Sequence, residues 1–398
     1  MPNDLLIKNV RPMGGKLASI RVLGGKIAAI GDGSNAPEAE TIDGGGAIAL
    51  PGLVEAHTHL DKTLWGMGWH KHRAGPRLID KIENERTLKK TLGIDSARQS
   101  ARQIVLSLSK GSTHIRSHVD VDTEIGLQGI EGVMATRQRY REVMNLEIVA
   151  FPQSGMLVRP GTVELMDRAM AMGAEVVGGL DPCAIDRDPK GHVDQVFALA
   201  QKHGKPVDIH LHEPGEMGVF SMELIIDRTN ALGMQGKVVV SHAFCLGMPD
   251  REVIDPLIDA LAKSKIAIMT TGPAARPAPP VKRLAERGVV MCSGSDGIRD
   301  TWGPYGTADM LERAMFIGLR NNFRHDADVE LALDVCAAGG AQVMGLKDYG
   351  LKPGCAADIV LAEGESVTEA VVSHLPRRLV VKSGRVVARD GKALIEAP

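Results

Sequence analysis

Short apolar runs alternate with helical patterns through the middle of the 398-residue chain. In residues 192–202, for example, Val193, Val196, Phe197 and Ala200 fall on one face of a helix. The apolar runs occupy residues 53–57, 113–119, 147–151, 174–180, 207–211, 238–244, 266–271 and 289–295. Apolar strands that alternate with helices predict a parallel α/β sheet covered on both faces. Eight of them favour a (β/α)8 TIM-like barrel over a doubly wound open sheet, which more often has a glycine-rich turn after its first strand.

The two ends of the chain share a different pattern. Residues 1–50 and 358–398 consist of short apolar and β-branched runs separated by Gly-Gly and Asp-Gly turns. Similar ends around a different middle indicate one small domain with a larger domain inserted into it. We therefore expect a small β-sandwich domain built from residues 1–50 and 349–398, and a catalytic barrel domain in residues 51–348.

Composition excludes several classes of protein. The net charge of -2 and the aromatic content of 3% are unlike those of a nucleic-acid binder, which is usually basic and uses aromatic side chains for stacking. No apolar run approaches the ~18–20 residues needed to span a bilayer, and the first residues lack a signal peptide, so we expect a cytoplasmic protein. The five cysteines are an odd number without a CxxC pair, so a disulfide framework is not expected.

Polar residues stand where the apolar runs stop, which in a barrel is the catalytic end. Residues two apart in a strand point to the same side, so His57 and His59 converge. The other such positions are His210, His212, Glu213, His242 and Asp296. Each residue alone is more often structural, but several strand ends agree here. Imidazole and carboxylate suit Zn²⁺ or Fe²⁺. The pattern therefore predicts a metal site.

Several segments together resemble the amidohydrolase superfamily. They are EAHTHLDKT, HIRSHVDV, IVAFPQSG, VDIHLHE, VSHAF and GSDGIRDTWGPYGTADML. Within the superfamily the chain is similar to the bacterial cytosine deaminases over nearly its whole length, and also to the N-isopropylammelide amidohydrolases. The resemblance implies a mononuclear metal-dependent aminohydrolase of a small N-heterocycle. In such an enzyme metal-bound hydroxide attacks an amino-bearing ring carbon, and ammonia or an amine is released.

The resemblance also assigns roles to residues. One divalent metal ion per subunit, Zn²⁺ or Fe²⁺, would be held by His57, His59, His210 and Asp296. Asp296 would also take the proton of the bound water. Glu213 would pass protons to a ring nitrogen and to the leaving amine, and His242 would orient the hydroxide or polarise the attacked carbon. The ring itself would be held by Gln153, Lys62, Leu78 and Trp302.

The sequence departs from the cytosine deaminase pattern at four positions. Gly297 follows Asp296 where a second acid is expected, and His212 precedes Glu213 where an Asp is usual. Lys62 replaces a Thr, as in the N-isopropylammelide amidohydrolases, and Arg77 adds a second cation. One lost acid and two added cations suggest a different, more acidic or oxo-rich ring. The alternative is that Arg77 is solvated and only Lys62 matters.

Two other functions are alternatives. A cyclic amide hydrolase of the dihydropyrimidinase or hydantoinase type usually bridges two metals with a carboxylated Lys on the fourth strand, and residues 173–184 contain no Lys. A non-enzymatic ligand-binding relative would lack metal ligands. A homo-oligomer is compatible with the sequence. The sequence also places His118 where it could line the pocket, His70 and His72 in a solvated loop, and His192, His203, His325 and His374 at the surface.

Overall fold

The computed structural model describes residues 4–31 and 39–398. The chain begins with five short strands that precede the barrel. They are β1 (Leu5–Pro12), β2 (Ala18–Leu23), β3 (Lys26–Gly31), β4 (Glu40–Asp43) and β5 (Ile48–Pro51). Apolar side chains of these strands, among them Leu5, Ile7 and Ile20, are fully buried in a core of their own. Strand β5 is buried on both faces, because Ile48 and Leu50 join the core that includes the barrel while Ala49 joins the core of the terminal strands.

Eight parallel strands follow, each paired with its neighbour in sequence. Asp296 closes the barrel, because it bridges Thr58 in parallel register and its N–H donates to the His57 carbonyl at 2.9 Å. The eight strands are β6 (Leu53–Thr58), β7 (Ser112–Asp120), β8 (Asn145–Phe151), β9 (Val176–Leu180), β10 (Val207–His210), β11 (Val238–Ser241), β12 (Ala267–Thr270) and β13 (Met291–Ser293). The predicted (β/α)8 barrel is confirmed.

Helices cover the outside of the barrel. Helix α5 shows why they form: Asp188 caps its first turn, Gly204 ends it with a left-handed φ of 64°, and its apolar face is buried as predicted. The helices are α1 (Leu78–Thr91), α2 (Ser96–Ser109), α3 (Gln128–Tyr140), α4 (Thr162–Met172), α5 (Pro189–His203), α6 (Gly215–Ala231), α7 (Arg251–Lys263), α8 (Val281–Glu286), α9 (Met310–Arg320), α10 (Asp326–Val335), α11 (Ala338–Val343) and α12 (Val367–Ser373). Across the described ranges, none of these helices combines the length and apolarity that crossing a bilayer requires.

The chain ends in four strands that join the first five. They are β14 (Ile359–Ala362), β15 (Leu379–Lys382), β16 (Arg385–Arg389) and β17 (Lys392–Ala393). Strand β14 pairs antiparallel with β5, and this pairing unites the two ends of the chain in one sheet separate from the barrel. The predicted second β unit, made from both termini, is confirmed.

A buried polar junction connects this terminal sheet to the barrel. Lys382 donates to Asp358 at 2.6 Å, and the ring of His114, near the start of β7, lies 3.4 Å from the same ammonium group. Arg377 pairs with Asp309 and also donates to the backbone of the barrel side. Buried charges of this kind persist where each has a partner.

His192 corrects one sequence-based expectation. The residue was expected at the surface, but it is fully buried. Its Nδ1 lies 2.6 Å from the carboxylate of Asp186, and its Nε2 accepts the N–H of Leu180 at 3.2 Å. The helical pattern alone does not reveal that a buried carboxylate faces this position.

Candidate active site

Four predicted metal ligands meet at the carboxyl ends of the barrel strands. His57 and His59 lie at the end of β6, His210 is the last residue of β10, and Asp296 follows β13 by three residues. One ligand atom from each of the four lies within 4.8 Å of the others. The Oδ1 atom of Asp296 is 3.2 Å from His59 Nε2 and 3.7 Å from His57 Nε2.

Several buried nitrogen atoms of this cluster have no protein partner. Within residues 4–31 and 39–398, His57 Nε2 and both ring nitrogens of His210 make no hydrogen bond. His57 is oriented by its other nitrogen, which lies 3.0 Å from the hydroxyl of Ser241, itself a donor to Asp208 at 2.7 Å. Burying unpaired polar atoms is costly, and a bound cation would satisfy them. Three imidazoles and a carboxylate therefore fit a divalent metal ion.

The electrostatics favour the neutral imidazole that a metal needs. Burial and the neighbouring histidines hold the pKa of His210 well below its usual range. The same two causes, with the charge of Asp296 acting in the opposite direction, lower the pKa of His242. His242 follows β11 directly, and its Nε2 lies 3.9 Å from Asp296 Oδ2. Because a protonated ring cannot ligate, these shifts keep the cluster ready to bind metal near neutral pH.

Glu213 lies three residues beyond His210 and is held by main-chain donors. Its Oε1 accepts the N–H groups of Cys183 at 2.7 Å and Ala184 at 2.8 Å, and its Oε2 accepts the hydroxyl of Ser221. Burial raises the pKa of Glu213 above its usual value, although these hydrogen bonds act in the opposite direction. A fixed carboxyl group with a raised pKa is suited to exchanging protons.

A second group of polar side chains surrounds Lys62. Its ammonium group donates to Gln153 Oε1 at 2.6 Å and pairs with Asp120 and Glu85 at 3.2 Å each. Trp302 donates its indole N–H to Glu85 at 2.8 Å. Leu78 and Trp302 pack against the same small apolar cluster, which includes Phe151. Lys62 is thus buried and fully engaged with the groups beside it.

The remaining departures from the expected pattern differ in their surroundings. The ring of His212 lies 2.7 Å from Asp181 and stacks on His242 at 4.3 Å between ring centres. Burial opposes protonation of His212, but the charge and hydrogen bond of Asp181 raise its pKa. The Arg77 side chain pairs with Asp80 at the start of α1 and is 76% exposed. Of the two added cations, which both line the cavity, Lys62 is buried and Arg77 is exposed.

One cavity of about 700 Å³ joins these groups. His57 lies behind its wall, fully buried, and His118 packs against the His57 ring at 4.0 Å rather than lining the cavity. The predicted site residues that line it are His59, Lys62, Leu78, Gln153, His210, Glu213, His242, Asp296 and Trp302. The structure thus brings all the predicted residues to one place.

Some residues of the site were missed from the sequence. Asp181 directly follows β9 and holds both the N–H and the ring of His212. Asp120 is the last residue of β7 and pairs with Lys62. The strand-end rule that singled out the histidines applies equally to these two aspartates. Asp300 also lines the cavity, in the loop after β13.

Comparison with known proteins identifies the family. Residues 78–388 match the sequence profile of the amidohydrolase family. The chain belongs to this family. Members act as hydrolases on C–N bonds and depend on metal, so the chain is a metal-dependent hydrolase of this kind.

Relatives of this amidohydrolase resemble it along nearly the whole chain. The N-isopropylammelide isopropyl amidohydrolase of Pseudomonas sp. (strain ADP) is 29% identical over 358 residues, which cover 88% of each chain. The crystal structure of N-isopropylammelide isopropylaminohydrolase from Burkholderia multivorans ATCC 17616 is 48% identical, with a TM-score of 0.95 and coverage of 98% of this chain and 100% of that one. The 5-methylcytosine deaminase of Klebsiella pneumoniae, liganded with 5-fluorocytosine, is 27% identical, with a TM-score of 0.85 and coverage of 98% and 99%.

Proposed function

We propose that this amidohydrolase is a mononuclear aminohydrolase that releases ammonia or an amine from a small oxo-rich N-heterocycle. One observation carries the proposal: a fixed carboxyl group, Glu213, faces the same cavity as the histidine and aspartate cluster. A Zn²⁺ or Fe²⁺ ion held by His57, His59, His210 and Asp296 would supply Lewis acidity and bring the pKa of a water molecule toward neutrality.

The chain's own residues divide the remaining tasks. Asp296 Oδ1 faces the imidazoles of His57 and His59, which leaves Oδ2, on the side of His242, to accept the proton of the attacking water. His242 polarises the attacked carbon.

Glu213 donates a proton to the ring nitrogen next to the attacked carbon, takes up the proton of the newly added hydroxyl group and passes it to the departing amine, because a carboxyl group of raised pKa exchanges protons readily. The proton that Asp296 accepted then returns to Glu213 for the next turnover. Oε1 of Glu213 accepts two N–H groups, which use both of its lone pairs, whereas Oε2 accepts only the Ser221 hydroxyl and can carry the exchanged proton.

Lys62 and Gln153 support a substrate with oxo groups. Because the Gln153 oxygen accepts from Lys62, its amide N–H₂ remains available as a donor to a ring carbonyl. The neighbouring apolar surface of Leu78 and Trp302 suits the face of a flat ring. Similarity to the N-isopropylammelide isopropylaminohydrolase supports a triazine ring with an alkylamino group.

The proposal favours one metal over two. Strand β9, the fourth of the barrel, contains no Lys that could become a bridging ligand. Asp61 and Asp120 form a second acidic group beside His59, but Asp120 pairs with both Lys62 and Lys89. A measured metal content of one ion per chain is expected. Two ions per chain would favour the cyclic amide hydrolase.

A substrate screen tests the reaction. Protein loaded with Zn²⁺ or Fe²⁺ is offered cytosine, ammelide, N-isopropylammelide and a pterin, and the release of ammonia or amine is measured. We expect turnover of the triazines and weak turnover of cytosine. Efficient cytosine turnover would overturn the assignment of an altered ring, and release from none of the four would overturn the proposed reaction.

A further inference from the structure

Asp300 places its carboxyl group over Gly297, the residue after Asp296. A Cβ atom at position 297 would lie 1.9 Å from Asp300 Oδ2 and 2.8 Å from Asp300 Cγ, so any side chain there would displace the Asp300 carboxyl group. The φ of Gly297 is outside the left-handed region, so the place of this carboxyl group rather than backbone freedom favours a glycine here. The acid that the family resemblance predicts after Asp296 is missing from the sequence. The fold brings a carboxylate to that place from three residues further along.

The two oxygens of Asp300 have different surroundings. Oδ1 accepts the N–H groups of Trp302 at 2.8 Å and Gly303 at 3.1 Å, which fixes the carboxyl group to the loop after β13. Oδ2 makes no hydrogen bond with any residue in the described ranges of the chain. Asp300 is 4% exposed and lines the cavity. One oxygen is therefore committed to the loop, and the other is available as an acceptor.

A hydrogen-bond donor would stabilise the buried carboxylate of Asp300. Burial raises the pKa of Asp300 to about 6, while the positive charge of Lys62 acts in the opposite direction. Lys62 is already engaged with Glu85, Asp120 and Gln153. A buried carboxylate with one unpaired oxygen binds a donor more strongly than a neutral acceptor does.

We propose that Asp300 determines specificity: its Oδ2 accepts a hydrogen bond from an N–H group of the bound ring. This inference rests on the proposed function and narrows its substrate class. With Gln153 as a donor to carbonyl groups on the same cavity, the site recognises lactam rings, in which N–H and C=O alternate. A ring nitrogen that carries an alkyl group, or only a lone pair, is rejected because it leaves the Asp300 carboxylate without a partner.

Binding of product-like rings tests the proposal. The probes are uracil and isocyanuric acid, each compared with its fully N-methylated counterpart, 1,3-dimethyluracil or trimethyl isocyanurate. Affinities are measured by calorimetry on metal-loaded protein. The wild type is expected to prefer the N–H rings about 10- to 100-fold, as for a hydrogen bond to a charged group.

Two single variants test the role of Asp300 Oδ2, one by replacing the oxygen and one by displacing it. In Asp300→Asn the amide oxygen can keep the Trp302 and Gly303 bonds, while the amide N–H₂ replaces Oδ2. The preference for N–H rings is expected to fall at least tenfold, with affinity for the N-methylated rings within about twofold of wild type. Gly297→Ala leaves the acid in the chain but displaces its carboxyl group, so it should lower the preference in the same way.

A double variant provides the rescue. Gly297→Asp with Asp300→Ser moves the acid to position 297, and the serine hydroxyl can still cap the loop N–H groups. Recovery of the N–H preference supports the proposal. Metal content should equal that of wild type in all variants, because Asp300 is not among the clustered ligands.

Two results overturn the inference in different ways. If Asp300→Asn weakens both ring types equally, or leaves the preference intact while the wild type still releases amine in the screen, Asp300 only supports the loop and the proposed function stands. If the wild type binds none of the rings and releases no amine, the proposed function fails and the role of Asp300 fails with it.

Discussion

Two of the regions that contain buried histidines differ in their surroundings: the carboxyl ends of the barrel strands and the junction with the terminal sheet. At the carboxyl ends of the barrel strands, His57 Nε2, His242 Nε2 and both nitrogens of His210 lack a protein partner in the described part of the chain. At the junction with the terminal sheet, His114 Nδ1 lies 2.9 Å from the hydroxyl of Thr113, and its Nε2 lies 3.4 Å from Lys382 Nζ. Burial is nearly equal in the two regions, so burial alone does not distinguish a ligand site.

The difference lies in whether the polar atoms are satisfied. In the junction, Asp358 accepts from Lys382 at 2.6 Å and from the N–H of Ser383 at 2.7 Å, so the buried charges balance one another. Removing one member of such a set is costly, because its partner is left buried and uncompensated. An unsatisfied set leaves polar atoms whose desolvation is offset only when a ligand arrives. Changes in the junction should therefore cost stability, and changes at the strand ends should cost function.

The largest effect, a loss of folded protein, is expected from deletion of residues 1–50, which removes more than half of the terminal sheet. We propose that this segment and residues 349–398 form one composite domain beside a barrel domain of residues 51–348. Deletion removes the partner of β14 and exposes Ile359 and Leu361, both fully buried in the intact chain. An unpaired apolar strand edge promotes aggregation, so insoluble protein is expected. A soluble and active truncation, tested by fractionation and assay, would contradict the proposed domain bounds.

The next largest effect, a loss of metal and activity, is expected at the unpaired histidines of the barrel strand ends. His57→Ala and His210→Ala should each remove most of the bound metal and leave about 1% or less of the activity, because each deletes a proposed ligand. The cooperative unfolding transition should largely survive, since the barrel core does not depend on the metal. Metal content by plasma mass spectrometry and turnover are the measurements.

His114→Gln is the matched control for these two variants. It also replaces a buried histidine, but in the satisfied region, and should retain full metal content with reduced stability. Full metal content in both ligand variants would show that the unpaired nitrogens do not mark a metal site.

A smaller effect is expected at Glu213. Glu213→Gln keeps an oxygen for the N–H groups of Cys183 and Ala184 but cannot deliver a proton. Turnover should fall by roughly 10²–10⁴-fold at unchanged metal occupancy, the usual worth of general acid–base catalysis. Turnover and metal content of the same preparation check this. A loss below about tenfold would assign the proton transfer elsewhere, with His212 or Asp296 next in line.

The sequence predicts the positions of the site better than its contacts. His57, His210 and Asp296 follow from the barrel itself, because parallel strands bring their carboxyl ends to one rim. The groups that hold them come from distant segments: Ser241 orients His57 across 184 positions of sequence. Periodicity does not encode such pairings, and so the pattern missed the partner of the buried His192.

Asp300 is a second example of a contact that the order of residues does not predict. A glycine after Asp296 indicates a lost acid when only the sequence order is considered. The loop after β13 folds back so that the Asp300 carboxyl group fills the space over Gly297. A local motif states which residue types are adjacent along the chain, whereas the chemistry depends on which atoms are adjacent in space.

The smallest expected effect is a pH dependence of the free energy of unfolding that arises from His114 in the junction. Burial, and next the charge of Lys382, lower the pKa of His114 to about 3. In the unfolded chain a histidine has a pKa of about 6.5, so below that pH the unfolded state binds a proton that the folded state refuses. The contribution of His114 to stability is therefore complete above pH 6.5 and is lost as the pH falls toward 3.

His114→Gln removes this titration. The free energy of unfolding of the wild type should fall more steeply than that of the variant between pH 6.5 and pH 5, by about 2 kcal/mol at roughly 1.4 kcal/mol per pH unit. Urea unfolding at each pH measures the difference, with His325→Gln at an exposed position as the control. Equal slopes in wild type and His114→Gln would mean that the junction accepts a proton on this ring without loss. The contrast between a paired and an unpaired set of buried histidines would then rest on the metal site alone.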